Sequence, residues 1–151
     1  MALKGDRFEN VTDISYYKTD AVIERGKIVA HDTGGSGAAM DDALAKVKTV
    51  SSTGNTPAGL ILNDVVNLDL TRQHYNMHKD EVQLGSKVTL LRRGVVVTDA
   101  VSGTPTIGAA AHFDATGRLA VRGTATKSAQ VGRFLSVKDA DGFIKVEINI
   151  V

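Results

Sequence analysis

The sequence contains no cysteine, no tryptophan and only two prolines. Without cysteine, the chain forms no disulfide framework, no thiolate nucleophile and no thiolate metal site. Aromatic residues make up 5% of the chain, and the stacking aromatics and basic stripe of nucleic-acid binders are missing. We therefore expect stability to come from packing or association, and we expect no nucleic-acid partner.

The chain also lacks an excess of positive or negative charge, and it lacks long apolar runs. The chain has 18 Lys and Arg residues against 17 Asp and Glu residues, a balance that gives no general attraction to nucleic acid or to an acidic membrane. No stretch approaches the roughly 18 apolar residues that a membrane-spanning helix requires, and the start, MALKGDRFENV, is too polar for a secretory signal. We expect no membrane partner and synthesis in a cytoplasm.

What the chain does have is a composition that suits strands. Its 151 residues fit one domain with a self-sufficient core. Val, Ile, Thr, Gly and Ala are frequent, which favours strands joined by tight turns. The clearest strand is FIKVEINIV (143–151), where apolar residues alternate with mostly polar ones. This period of two predicts a half-buried antiparallel strand.

Further segments follow the same pattern of apolar runs and turns. The predicted features are a hairpin over 21–30 with its turn at Gly26, a buried strand over 58–62, two strands within 82–101 separated by a turn at Arg93-Gly94, and a turn at 115–117. Residues 40–50 fit either a short helix or a strand, and both remain open.

About nine short strands at a spacing of roughly 8–12 residues predict a mainly β fold class, an antiparallel β-barrel or sandwich with at most one short helix. Residues 1–20 show little periodicity. We expect them to form an extended N-terminal arm or an irregular segment, and we expect residues 21–151 to form a single β-rich domain.

The segment RQHYNMHKDE (72–81) contains an HxxxH spacing at His74 and His78. A helix would place both imidazoles on one face, but the zinc proteases that use this motif need a Glu directly after the first histidine, and Tyr75 stands there. The flanking strand-like runs also disfavour a helix. We therefore expect no metal and no cofactor. A small metal-dependent hydrolase that uses His74 and His78 is kept as an alternative.

A second pattern, GGSGA (34–38), resembles the G-x-S-x-G nucleophile elbow, and Asp99 and His112 follow it in the order of that enzyme class. The elbow requires a sharp turn directly out of a parallel central strand, whereas residues 31–33 intervene here and the alternation of strands and helices is missing. No Gly-Lys-Ser/Thr follows, so a phosphate-binding loop is excluded too. We expect no catalytic residue and no enzymatic activity.

Several polar and aromatic residues suit a contact surface. The 72–81 segment carries long side chains that donate hydrogen bonds and cover apolar surface. Tyr16 and Tyr17 would point to opposite faces of a strand, so we expect one in the core and the other exposed as an anchor for a partner. The predicted contact residues are Tyr16, Tyr17, Arg72, His74, Tyr75, His78, Lys79, Arg92 and Arg93.

Three stretches carry a family resemblance: NDVVNLDL through KDEVQLGSKVTLLRRGVVVTDAV, then TPTIGAAAHFDATGRL, and VGRFLSVKDADGFIKVEINI. Over residues 55–151 the chain resembles the small capsid decoration, or cement, proteins of tailed bacteriophages. The resemblance implies a β-barrel-like domain on the outer surface of the phage head that binds the major capsid protein, bridges its subunits and stabilises the DNA-filled shell. It also implies a homo-oligomer, with a homotrimer favoured over a dimer, made in the host cytoplasm.

A second structural hypothesis places the protein elsewhere on the virion, as a tail or head-fibre module that binds a host glycan. The small number of aromatic residues and the absence of tryptophan argue against a sugar site. The cement protein is therefore the leading hypothesis.

Overall fold

The structure is a computed structural model that describes residues 3–33, 45–62, 81–82, 87–123 and 128–150. Within these ranges every regular element is a β-strand, which confirms the mainly β fold class. The strands are β1 (Phe8–Lys18), β2 (Ile23–Glu24), β3 (Ile28–His31), β4 (Lys46–Thr49), β5 (Pro57–Ile61), β6 (Glu81–Val82), β7 (Lys87–Thr98), β8 (Ala110–Phe113), β9 (Leu119–Val121), β10 (Gly132–Phe134) and β11 (Ile144–Asn149). The described ranges hold no helix that is long and apolar enough to cross a membrane.

Five of the strands close into a ring. β1 pairs with β4 and with β7, and the pairs β4–β3, β3–β5 and β5–β7 complete the circle. Within this ring only the β1–β4 pair is parallel, with Tyr17 opposite Lys46 and Lys18 opposite Val47. The predicted antiparallel arrangement is therefore correct for every described pair of strands except this one.

A small hydrophobic core, which we call the ring core, receives side chains from all five strands. Because successive side chains of a strand point to opposite faces, Val29 of β3 joins this core while its neighbours Ile28 and Ala30 point away from it. The ring core consists of Ile23, Val29, Val47, Ala58, Ile61, Val88 and Leu90, with Tyr16 packed against it.

A larger core, the main core, lies on the other face of β3, β5 and β7. It is completed by β8, β9, β10 and β11, so this half of the molecule is a sandwich. β11 confirms the predicted period of two, because Ile144, Val146 and Ile148 are buried and the residues between them are exposed. Each such buried side chain contributes about 1.5–3 kcal/mol relative to exposure.

β7 is the strand that joins the two halves. Its first part pairs with β5 through Leu90 and Leu91, and its second part pairs with β11 from Arg93 to Thr98. The predicted turn at Arg93-Gly94 is wrong, because β7 runs without interruption through both residues. A Cβ atom at Gly94 would lie 2.2 Å from the carbonyl oxygen of Phe8. Glycine stands here because β1 crosses β7 closely, and not because the chain turns.

Two hairpin turns share the pattern D-A-x-G. In the first, the Asp114 carboxylate accepts hydrogen bonds from the backbone N–H groups of Thr116 and Arg118, at 2.8 and 3.0 Å. This confirms the predicted turn at 115–117. In the second, the Asp139 carboxylate accepts from Asp141 and Phe143 in the same way, at 3.0 and 2.8 Å. Both turns use aspartate to satisfy backbone donors that no strand partner reaches.

The remaining sequence expectations have mixed outcomes. The buried strand over 58–62 is confirmed, since β5 covers Pro57–Ile61 and its last four residues are buried. The hairpin over 21–30 is wrong in its pairing: the chain does turn at Gly26, but β2 pairs with Glu81–Val82 instead of with β3. Lys46–Thr49 is a strand, and residues 40–44 lie outside the described residues.

Candidate interaction surface

Five of the nine predicted contact residues lie outside the described residues. They are Arg72, His74, Tyr75, His78 and Lys79. The contact role of the 72–81 segment therefore stays a prediction, and so does the alternative of a metal site at its two histidines. The structure does describe Tyr16, Tyr17, Arg92 and Arg93, which it places on the two adjacent strands β1 and β7.

The two tyrosines are both half-buried, so the expectation of one core and one exposed residue is wrong. Tyr16 packs against the ring core, with its ring centroid 5.7 Å from that of His31. Tyr17 lies opposite Lys87, whose ammonium group is 5.3 Å from the centroid of the tyrosine ring. Both rings are engaged within the fold because β1 is held between β4 and β7 at this point.

The two arginines do not form a pair, because neighbours in a strand point to opposite faces. Arg92 is half-buried, and its charge helps to lower the pKa of His31, after the larger effect of burial. Arg93 is exposed and lies opposite Val11 of β1. The sequence prediction placed Arg92 and Arg93 in one contact group, but Arg92 is half-buried and only Arg93 is exposed to solvent.

The first described residues, Leu3 and Lys4, are bound to the sandwich. Leu3 is 2% exposed and belongs to the main core. The Lys4 backbone N–H donates to the carbonyl oxygen of Val97 at 2.9 Å, and its ammonium group lies 3.2 Å from the Asp139 carboxylate and 4.3 Å from the centre of the Phe143 ring. The extended N-terminal segment thus begins with an anchored end and continues as a regular strand.

The other end of β1 is fixed by Lys18, whose side chain is fully buried. Its ammonium group contacts the Asp20 carboxylate and donates to the Ala21 carbonyl oxygen at 2.8 Å and to the Thr49 hydroxyl at 2.9 Å. Asp20 in turn accepts from the Thr49 backbone N–H at 2.9 Å. Burial lowers the pKa of Lys18 to about 8, with the charge of Asp32 opposing it. This network ties β1 to β4.

Between these two ends, β1 exposes three large apolar side chains. Phe8 is 65% exposed, Val11 43% and Ile14 67%. Residues 5–12 are all exposed, although the strand is hydrogen-bonded to β7 from Phe8 onward. Apolar side chains of this size, grouped on one strand and rimmed by charged residues, are typical of protein contact surfaces.

The outward face of the sheet continues this surface. Paired residues in neighbouring strands share a face, so Phe8 lies beside the half-buried Val95, and Val11 lies beside Arg93. We call Phe8, Val11, Ile14, Arg93 and Val95 the β1 surface. The sequence contained a signal for it in the apolar residues at 8, 11 and 14. A spacing of three does not match the period of two of a regular strand. The register of β1 is correspondingly irregular, with shifts between Glu9 and Val11, between Val11 and Thr12, and between Asp13 and Tyr16.

The described residues contain no group of three or more His, Asp or Glu side chains that could hold a metal ion. His112 is buried, and its Nδ1–H donates to the carbonyl oxygen of Ser128 at 2.8 Å. The Ser128 hydroxyl accepts from the Phe113 backbone N–H at the same distance. His112 therefore ties β8 to the segment before β10. The serine of the GGSGA pattern lies outside the described residues.

Comparison with known proteins identifies a family. A search of the curated proteins finds no protein that matches the chain. The family model described as structural cement protein (E217 gp24/Pam3 gp6) matches residues 6–149. The resemblance to phage cement proteins is thereby confirmed, and the match also covers residues 6–50, which include β1. Because the match spans almost the whole chain, this protein belongs to the family of phage structural cement proteins, which are structural components of the virion.

Proposed function

We propose that this protein binds the outer surface of the phage head, bridges neighbouring major capsid subunits and stabilises the DNA-filled shell. The family match over residues 6–149 carries the proposal. The protein is made in the host cytoplasm, acts as a homo-oligomer, with a trimer favoured over a dimer, and attaches to heads assembled there.

The physical basis is mass action on a repeating lattice. A protein that binds the assembled shell but not the free subunits shifts the equilibrium toward the shell, and many equivalent copies add their modest contact energies. The β1 surface suits this role because it combines exposed apolar side chains with a polar rim.

No enzymatic activity is included in the proposal. The buried titratable groups of the described residues are engaged in structural bonds: Lys18 ties β1 to β4, and His112 ties β8 to the segment before β10. This arrangement supports a structural role.

The test uses phage heads that lack this protein. Purified protein is added, bound copies are counted by sedimentation, and DNA release is followed on heating. We expect saturation at a fixed ratio to the major capsid protein and DNA release at a higher temperature than for bare heads. Absence of binding to the heads would overturn the proposal, and so would labelling of the protein on the tail or fibres.

A further inference from the structure

One edge of β1 has no strand beside it in the described parts of the chain. On its inner edge β1 pairs with β7 from Phe8 to Tyr17. On its outer edge only Tyr17 and Lys18 are paired, through β4. Among the described residues, no strand pairs with the outer edge from Phe8 to Ser15, which we call the β1 edge, and all residues of this stretch except Asp13 are exposed. Such an edge is a template for the addition of another strand.

The side chains on this strand favour an apolar partner. Three apolar side chains on a solvated edge lose contact with water only if another chain covers them, and this burial is the main favourable contribution to such a contact. Both ends of the strand are anchored, by Leu3 and Lys18, so little conformational entropy is lost when a partner binds between them.

The charges on this strand favour a basic partner. Residues 6–15 contain three acidic residues, Asp6, Glu9 and Asp13, against one basic residue, Arg7. Arg7 lies 2.5 Å from the Glu9 carboxylate. Hydrogen bonds from Ser15 hold the pKa of Asp13 below its ordinary value, so this carboxylate stays ionised. Opposite charges across neighbouring strands stabilise their pairing.

We propose that the β1 edge docks an extended segment of the major capsid protein, apolar where it meets the three exposed apolar side chains and basic where it meets Glu9 and Asp13. This inference rests on the proposed function and names the surface by which it is carried out. Backbone hydrogen bonds supply affinity, and the side chains on either face of the added strand supply specificity.

A second copy of this chain fits the edge less well. An antiparallel pairing centred on Val11 would match Phe8 with Ile14, but it would also place Glu9 opposite Asp13, twice. Like charges directly opposite each other destabilise a sheet.

The first experiment measures the affinity of variants for heads that lack this protein, by sedimentation. The double variant Val11→Lys/Ile14→Lys places two positive charges on the edge, and Ile107→Lys/Val137→Lys places the same two charges on exposed apolar residues elsewhere. We expect the double variant to bind at least about tenfold more weakly and the control to bind like the wild type. If the wild type binds the heads and the double variant binds with the same affinity, this inference is overturned and the proposed function stands. Failure of the wild type to bind would overturn the proposed function itself.

A charge variant tests the chemistry of the partner. Glu9→Gln should weaken binding about two- to fivefold, because it removes one opposite-charge pair across the strands. Asp141→Asn, at an exposed position in the turn of residues 139–142, is the control and should leave affinity unchanged. Equal affinities for both variants and the wild type would contradict a basic partner.

Hydrogen exchange on the wild-type protein needs no variant and tests the edge directly. We expect some backbone N–H groups of residues 8–15 to exchange rapidly in the free protein and slowly on the head. Unchanged exchange on the head would overturn the inference. The inference would also be overturned if the N–H groups of residues 8–15 exchanged slowly in the free protein and faster on dilution. That result would mean that a second copy of the chain occupies the edge.

Discussion

β1 and β11 come from opposite ends of the chain, and both pair with β7, yet their side chains are buried in different ways. β11 alternates strictly between buried and exposed residues. β1 is exposed over most of its length and becomes buried only at Lys18. The two strands even share the same stretch of β7: Val95 lies opposite Glu147 on one side and Phe8 on the other.

This difference shows two ways to hold a strand in a sheet. The position of β11 is set along its whole length by side chains that enter the main core. The position of β1 is set mainly at its ends, by Leu3 and by the Lys18 network, with backbone pairing between them. A strand that is held at its ends and by its backbone, as β1 is, leaves the side chains between its ends available for contact with another molecule.

The largest effect is expected from truncating a buried residue of β11. Ile148→Ala should lower the free energy of unfolding by about 2–5 kcal/mol, because it removes buried methyl groups and leaves a cavity. The matched change in β1 is Ile14→Ala, which should cost about 0.5 kcal/mol or less, because Ile14 is exposed. Denaturant unfolding of both variants measures the two values. Similar losses for both would contradict the distinction between the strands.

An intermediate effect is expected where β1 crosses β7. Gly94→Ala should lower the free energy of unfolding by about 1–3 kcal/mol, because the new methyl group collides with the Phe8 carbonyl oxygen. Since Glu9 lies opposite Gly94, hydrogen exchange should rise in β1 more than in β11. Gly103→Ala, where a Cβ atom meets nothing within 4 Å, serves as the control for steric collision. Equal changes in exchange in the two strands would argue against separate anchoring.

A smaller effect is expected from the charge of Lys18 and should depend on pH. The folded-state pKa of Lys18, about 8, lies below its ordinary value of 10.5. The unfolded chain therefore binds more protons between these values, so the free energy of unfolding should rise with pH across this window. We expect a gain of about 1–2 kcal/mol, because contact with the Asp20 carboxylate favours the charged form of Lys18 and offsets part of the burial effect. In Lys18→Met the rise should vanish. If the free energy of unfolding of the wild type depended on pH as little as that of Lys18→Met, the proposed effect of the buried Lys18 charge would be contradicted.

The parts of the fold that the sequence predicted are those in which local pattern and burial agree. β11 and the turn at 115–117 are of this kind, because alternation and turn chemistry are read from neighbouring residues. The wrong prediction of a turn at Arg93-Gly94 has a physical cause. Glycine marks a turn and a close approach of two backbones in the same way, and only the position of Phe8 distinguishes them. The partner of β2 likewise depends on residues far along the chain.

The candidate surface was harder to predict than the fold. Polarity and aromatic content drew attention to Tyr16 and Tyr17, but both side chains are engaged within the sheet. Phe8, Val11 and Ile14 were missed because apolar residues are expected in a core. Their exposure follows from the irregular register of β1 and from the absence of a strand on its outer edge among the described residues, neither of which the sequence reveals.

The central claim, that β1 rather than β11 meets the capsid, is tested most directly by an electron cryomicroscopy reconstruction of the phage head with this protein bound. We expect density for the protein on the outer surface of the shell, with Phe8, Val11 and Ile14 against major capsid subunits and an extended capsid segment along the outer edge of β1. A reconstruction in which β1 faces solvent, while the sandwich half contacts the shell, would contradict the account.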